Sequence, residues 1–317
     1  MTFKVEEIKE NGLDMIRMSQ FSHGHSVDLV PSQGAMWHAW RIPRGGGIVN
    51  LLDSYKSLED CRSGLRESFR GVKLSPFACR LKDGEYLFEG NSFRIAKRLN
   101  TGEAHHGLLY DQPFDVQSIR VDAQKASVKL LARYAGDDAG YPFPYTCSIN
   151  FDLYAGNCLV VQTEIINQSA HCMPLMDGWH PYFRTGSPID ALEFRLSARV
   201  ILEMDDRLIP TGSQLAYKES GHYRKIGAMH LDTAFLLDFS QPQPLFELRD
   251  PIKGISIFLE PEPSYPLLQM FTPISRESIA LEPLSGAPDA FHNKIGLEVL
   301  GPGQKKQFRF RVYAHSL

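Results

Sequence analysis

The sequence predicts an all-β chain, a large antiparallel β-sandwich built as one domain over residues 1–317. Three observations predict it. Apolar residues recur with a period of two along much of the chain, turn residues punctuate those runs, and almost no stretch holds a helical period for three turns. The 25 glycines and 20 prolines amount to about one residue in seven, slightly above ordinary use, as a long series of hairpins requires. No linker, low-complexity stretch or fixed repeat divides the halves, and all-β domains do run past ~250 residues.

In chain order, residues 54–69 (SYKSLEDCRSGLRESF) read as a helix or two short turns, with Ser57 as N-cap and Glu59 and Asp60 in the first turn. The wider segment 41–69, rich in Gly, Arg and Ser, has a lid, a subunit contact and plain surface as equal readings. Val128, Leu130, Ala132 and Tyr134 then alternate with polar neighbours. Residues 146–154 (TCSINFDLY) are the clearest case: Cys147, Ile149, Phe151 and Leu153 are apolar, while Thr146, Ser148, Asn150 and Asp152 are polar. After Ala155-Gly156-Asn157 the alternation resumes with Leu159, Val161 and Ile165, so Gly-Asn marks a hairpin. Ile255, Ile257 and Leu259 repeat the pattern, and Phe308, Phe310, Val312 and Ala314 close the chain with it.

A 43% hydrophobic and 22% charged composition excludes collagen-like, coiled-coil and disordered classes. The net charge is -3 with no block of basic residues, so no nucleic-acid partner is expected. The opening MTFKVEEIKENG lacks the apolar centre of a signal peptide. No stretch approaches the ~18 apolar residues of a membrane span, so no membrane partner is expected. Five cysteines without CxxC spacing read as reduced thiols of a cytoplasmic protein. GxGxxG, Walker A, HExxH and GxSxG are absent, and no ligand spacing among the eleven histidines suggests a metal. No cofactor and no metal are expected.

Three segments combine titratable groups with turn residues: Glu103-Ala104-His105-His106-Gly107, then Asp177-Gly178-Trp179-His180-Pro181-Tyr182-Phe183, then Ala280-Leu281-Glu282-Pro283 running on to Pro288-Asp289-Ala290-Phe291. A histidine beside Gly or Pro is more often a hydrogen-bonded turn residue than a catalyst. Glu282, inside an apolar run, is more telling, because a carboxylate rarely enters a buried strand without a partner. An ion pair is the commoner reason for such a residue and a catalytic role the other.

In this order the three segments resemble the aldose 1-epimerase (galactose mutarotase) family. Pro76-Phe77-Ala78-Cys79-Arg80, Gly140-Tyr141-Pro142, Ile209-Pro210-Thr211-Gly212 and Leu231-Asp232-Thr233-Ala234-Phe235 fall where that family has related pieces. The resemblance extends from about residue 70 to the C-terminus and implies a galactose mutarotase-like supersandwich acting on a small-molecule sugar, as a monomer or homodimer. It implies His180 as general acid on the ring oxygen, Glu282 as general base on the anomeric hydroxyl, and His106 as an assisting histidine. It implies Arg80 and Asp232 as binders of sugar hydroxyls, with His105 beside them. Trp179 and Phe271 are candidates to stack on the sugar ring, or to pack in the core.

Interconverting anomers requires a proton off the C1 hydroxyl and one onto the ring oxygen, which a carboxylate and a protonated imidazole on opposite sides of the sugar supply. A nearby carboxylate, Glu282 or Asp177, is expected to raise the His180 pKa so that it can donate. The sequence departs from the family pattern after Gly107, where Leu108, Leu109 and Tyr110 follow. The related hexose-6-phosphate 1-epimerases hold phosphate with several arginines, and their His-Gly-aromatic-x-Arg arrangement is missing here. A free aldose is therefore expected, with a sugar phosphate or a non-catalytic carbohydrate-binding role as alternatives.

Overall fold

Alternating runs that read as strands pair in register, and one row of side chains illustrates how the core is laid down. Ala126, Leu153, Leu159, Val312, Leu259, Phe246 and Leu196 are successive cross-strand partners over seven neighbouring strands. All seven are buried. With a side-chain period of two, a slip of one residue in any of these strands would turn its apolar set to solvent, so the alternation specifies the register. The strands belong to a nine-stranded antiparallel sheet in which the C-terminal strand Lys305–Ser316 lies between Cys158–Asn167 and Ile255–Pro261. The hairpin between Tyr145–Tyr154 and Cys158–Asn167 turns at Gly156 (φ 76) and Asn157 (φ 56), the two residue types that accept left-handed backbone readily.

The computed structural model describes residues 2–21, 24–99 and 102–317. Beside the nine-stranded sheet stands an eight-stranded sheet that includes Asp232–Leu237, Leu267–Phe271, Ile279–Leu284 and Gly178–Trp179. The two pack face to face: Trp179 meets Phe151 and Phe310 of the nine-stranded sheet at ring separations of 5.6 and 6.5 Å. A five-stranded meander, from Phe3–Glu10 to Gly47–Asn50, places Trp37 and Trp40 against Phe183. The molecule is the large antiparallel β-sandwich that the periodicity predicted.

The helical reading of 54–69 also holds. The helix is Leu58–Ser68; the Ser57 side chain accepts from the Asp60 amide, while Cys61 and Leu65 are its buried face. Among the described residues no helix is long and apolar enough to cross a membrane.

Candidate active site

Strand register assembles the floor of the site. In the eight-stranded sheet Asp232 is opposite Phe271, and Gln269 is opposite Glu282. Gln269 and Phe271 lie two apart on one strand, so all four side chains share a face. The Gln269 amide donates to Asp232 Oδ1 at 2.6 Å. These four, with Arg80, His105, His106 and His180, line one cleft.

His180 follows the short strand Gly178–Trp179, which is wedged between Lys73–Leu74 and Ile279–Leu284. A Cβ on Gly178 would come within 2.5 Å of the Leu284 side chain, so a larger residue there would force Leu284 to shift. The Gly71 amide donates to the His180 carbonyl at 2.8 Å, and the His180 amide donates to Val72 O. The segment is pinned from below by Asp177, which accepts from Lys73 Nζ and from the Tyr265 hydroxyl, all buried.

His106 sits at φ 58, and its Nδ1 accepts the Cys79 amide at 3.1 Å while its own amide donates to Cys79 O. The neutral ring therefore carries its proton on Nε2. Gly107 follows at φ 81 and passes so close to Ser75 that a Cβ would lie 2.2 Å from its carbonyl oxygen. The third motif contributes a tether as well as Glu282. The Asp289 amide donates to Arg80 O, and Asp289 Oδ1 accepts the Lys82 amide, which fixes the strand that carries Arg80.

The central pair is His180 and Glu282, with Nε2 and Oε1 3.4 Å apart and both residues buried. They stand side by side, not on opposite sides of a sugar-sized gap as the sequence reading had them. His105 stacks on His106 at 3.8 Å, and His106 meets His180 edge to face at 4.9 Å. Tyr182 stacks on the other side of His180 at 5.0 Å.

Burial governs the protonation states. It pushes His180 down to about 3 and His105 to about 3, and holds His106 well below the ordinary imidazole value. It raises Glu282 well above the usual carboxylate range, assisted by the nearby Asp232 carboxylate. The expectation that Glu282 or Asp177 would raise the His180 pKa is thus overturned. Desolvation outweighs the neighbouring carboxylates, and Asp177 is committed to Lys73 and Tyr265. The pair rests with a neutral imidazole and a protonated carboxyl.

Trp179 is corrected too. It is 1% exposed, packs between the sheets and has the Lys73 ammonium 4.9 Å above its ring. Adjacent to His180 on extended backbone, it points the opposite way, into the core and away from the cleft. Phe271, the other stacking candidate, does line the cleft. Sequence reasoning missed Gln269, whose place facing Glu282 comes only from register. It also missed Tyr182 as a wall residue, although Tyr182 lies within the His-Pro-Tyr-Phe motif, and Phe69 at the end of the helical segment.

Cys79, His106 and Glu282 each offer a donor atom within 4.8 Å of the others, the one such grouping among the described residues. Burial raises the Cys79 thiol and the Glu282 carboxyl well above their usual ranges, so a cation here would have to displace both protons.

A sequence profile described as aldose 1-epimerase matches residues 17–313. The uncharacterized protein YihR of Escherichia coli K12 is 24% identical over 299 residues, covering 92% of this chain and 93% of its own. Among solved structures, a galactose mutarotase-like protein from Clostridium acetobutylicum superposes with a TM-score of 0.86 at 18% identity, covering 99% of this chain and 98% of its own. A galactose 1-epimerase from Lactobacillus acidophilus gives 0.80 at 18% identity, with the same coverage. At these identities the structural likeness speaks for the fold.

Proposed function

This chain belongs to the aldose 1-epimerase family, and from that premise we propose that it interconverts the α and β anomers of a free aldose with His180 and Glu282 as the proton-transfer pair. The observation that carries the reading is the pair itself, two buried titratable groups 3.4 Å apart on the floor of a polar cleft. The ring oxygen and the anomeric hydroxyl are bonded to the same carbon. One pair standing side by side therefore reaches both.

In ring opening the Glu282 proton first crosses the 3.4 Å to His180; Glu282 then takes the proton of the anomeric hydroxyl, the C1–O1 bond becomes a carbonyl, and the bond from C1 to the ring oxygen breaks. His180 gives its proton to the departing oxygen. Rotation about C1–C2 presents the other face of the carbonyl, and the reverse steps close the ring. The pair ends with the one proton it began with. After opening that proton resides on Glu282 and the imidazole is neutral, the state that burial favours. A dry cleft therefore favours the open-chain complex over the ion-paired closed complex from which it forms. Each positioned transfer contributes roughly 10²–10⁴-fold, about 3–5 kcal/mol.

The remaining groups suit a neutral polyol. Arg80 offers a rigid fork of donors to adjacent hydroxyls, and Asp232 with Gln269 accepts and donates beside it. His106 presents an Nε2–H donor, and Phe271 and Tyr182 are flat apolar walls. Glu67 and Asp232 line the cleft beside its single lining arginine, Arg80, so no cluster of positive charge awaits a phosphorylated sugar. A binding module has no use for a buried His–Glu pair.

The test is polarimetry on freshly dissolved α-aldoses. Acceleration of at least one sugar over its buffer blank is expected, and inorganic phosphate should not compete. A broad panel of aldoses with no acceleration would overturn the catalytic reading.

A further inference from the structure

One aromatic ring touches all three histidines of the cleft, and it comes from a stretch of sequence that carries no motif. Phe69 is the C-cap of helix Leu58–Ser68, at φ 50 and ψ 30. That left-handed region is ordinary for Gly or Asn and rare for a bulky aromatic residue. Its ring centroid lies 4.5 Å from His106, 5.2 Å from His105, 6.3 Å from His180 and 5.0 Å from Tyr110.

The strain is not isolated. Twelve non-glycine residues among those described have positive φ, and four of them, Phe69, Cys79, His106 and Leu208, line this cleft. Such backbone persists only where its surroundings over-determine it, and it collects where geometry is part of function. Here the surroundings are visible. The Phe69 amide donates to Leu65 O of the helix, Val72 N donates back to Phe69 O, and Gly71 N donates to the carbonyl of His180. The helix end and the backbone of His180 are thus one hydrogen-bonded unit.

We infer that Phe69 is a positioning residue: held by its helix, its ring fixes the planes of His106 and His180 against Glu282 and keeps water off their faces. The inference rests on the proton-transfer reading above and deepens it. It also gives the segment 41–69 a role, with helix Leu58–Ser68 as a buttress for the histidines. A glycine would meet the backbone demand at this C-cap without strain, so the phenyl ring is present for what it packs against. The polar groups around it are His105, His106, His180 and Tyr110, with Glu282, Arg80 and Asp232 across the cleft.

The experiment compares Phe69→Leu, which keeps apolar bulk and the same backbone demand, with Phe69→Tyr, which restores a ring. For Phe69→Leu, kcat should fall about tenfold or more with KM within about threefold, while Phe69→Tyr stays close to wild type in both. Wild-type kcat in Phe69→Leu, a loss confined to KM, or equal losses in the two variants would overturn the inference. A second readout needs no sugar. In proton–nitrogen correlation spectra of labelled histidine at fixed pH, wild-type His106 should give a single Nε2–H tautomer, and Phe69→Leu a mixture, because a ring no longer held by Phe69 turns away from the Cys79 amide that fixes its Nδ1. An unchanged tautomer overturns the positioning role even if no aldose is turned over, so its failure is distinguishable from failure of the mutarotase reading. If Phe69→Leu does not fold, Phe69→Met carries the same two readouts.

Discussion

If His180 and Glu282 share one proton across 3.4 Å, their removal should be strongly non-additive. The perturbation is a double-mutant cycle of His180→Gln, Glu282→Gln and the pair, each side chain replaced by a neutral one of similar size. Opening needs a proton removed and a proton delivered in one event, so either single change disables both transfers. Each single variant is expected to lose on the order of 10³-fold in kcat, about 4 kcal/mol, within the usual range for a positioned proton transfer. Independent residues would then lose roughly 10⁶-fold together, whereas a shared relay predicts a double variant within about tenfold of either single one. The assay is the initial polarimetric rate on a fresh α-aldose, corrected for the buffer blank. Glu282→Gln should not lower the thermal midpoint at pH 7. Burial raises the native carboxyl pKa, so at pH 7 the unfolded chain alone gains a fully solvated carboxylate, and the neutral amide removes that advantage. Losses that multiply in the double variant, or a single variant keeping more than a tenth of wild-type rate, would refute the shared-proton argument.

Three further outcomes follow from the same geometry. Arg80→Lys keeps the charge but not the fork, and kcat/KM for the aldose should fall about 10–100-fold, or 1.4–3 kcal/mol; unchanged kinetics would remove Arg80 from the sugar site. Trp179→Leu should cost about 2–4 kcal/mol in urea unfolding with KM unaltered, because Trp179 packs between the sheets; the reverse result would return it to the cleft. Buried His25, whose Nε2 accepts from Trp40, is pushed down to about 4 by burial. Its native pKa lies below the unfolded value near 6.5, so the unfolded chain takes up the extra proton and stability is lost as pH falls through that window. Between pH 7 and 5 this histidine alone accounts for about 2 kcal/mol, and His25→Gln should flatten the urea-midpoint profile over that interval.

What the sequence made legible was whatever depends on local order. Alternation in 146–154 and 308–314 was enough to identify strands and their buried faces, since a side-chain period of two is a property of the backbone itself. The Ser57 cap and the Gly-Asn turn are equally local. Residues that line the cleft were legible because motifs keep their order in the chain, yet motifs carry no register. That Gln269 faces Glu282, and that His180 stands beside Glu282, depends on pairings between strands far apart in sequence. Trp179 illustrates a finer limit: a two-residue strand is too short to give the alternation a phase, so the direction of its indole could not be read. Protonation was misjudged for a related reason. Asp177, three residues from His180, looked like its partner, but Lys73 reaches it from 104 residues away. Phe69 was hidden differently. Left-handed backbone is usually announced by Gly or Asn, and here packing among three histidines holds a phenylalanine there. The residues hardest to read were those whose conformation the assembled cleft imposes, and on the proposed mechanism that imposition is what a buried His–Glu pair needs in so dry a place. Loosening the cleft should therefore reduce turnover before it reduces stability.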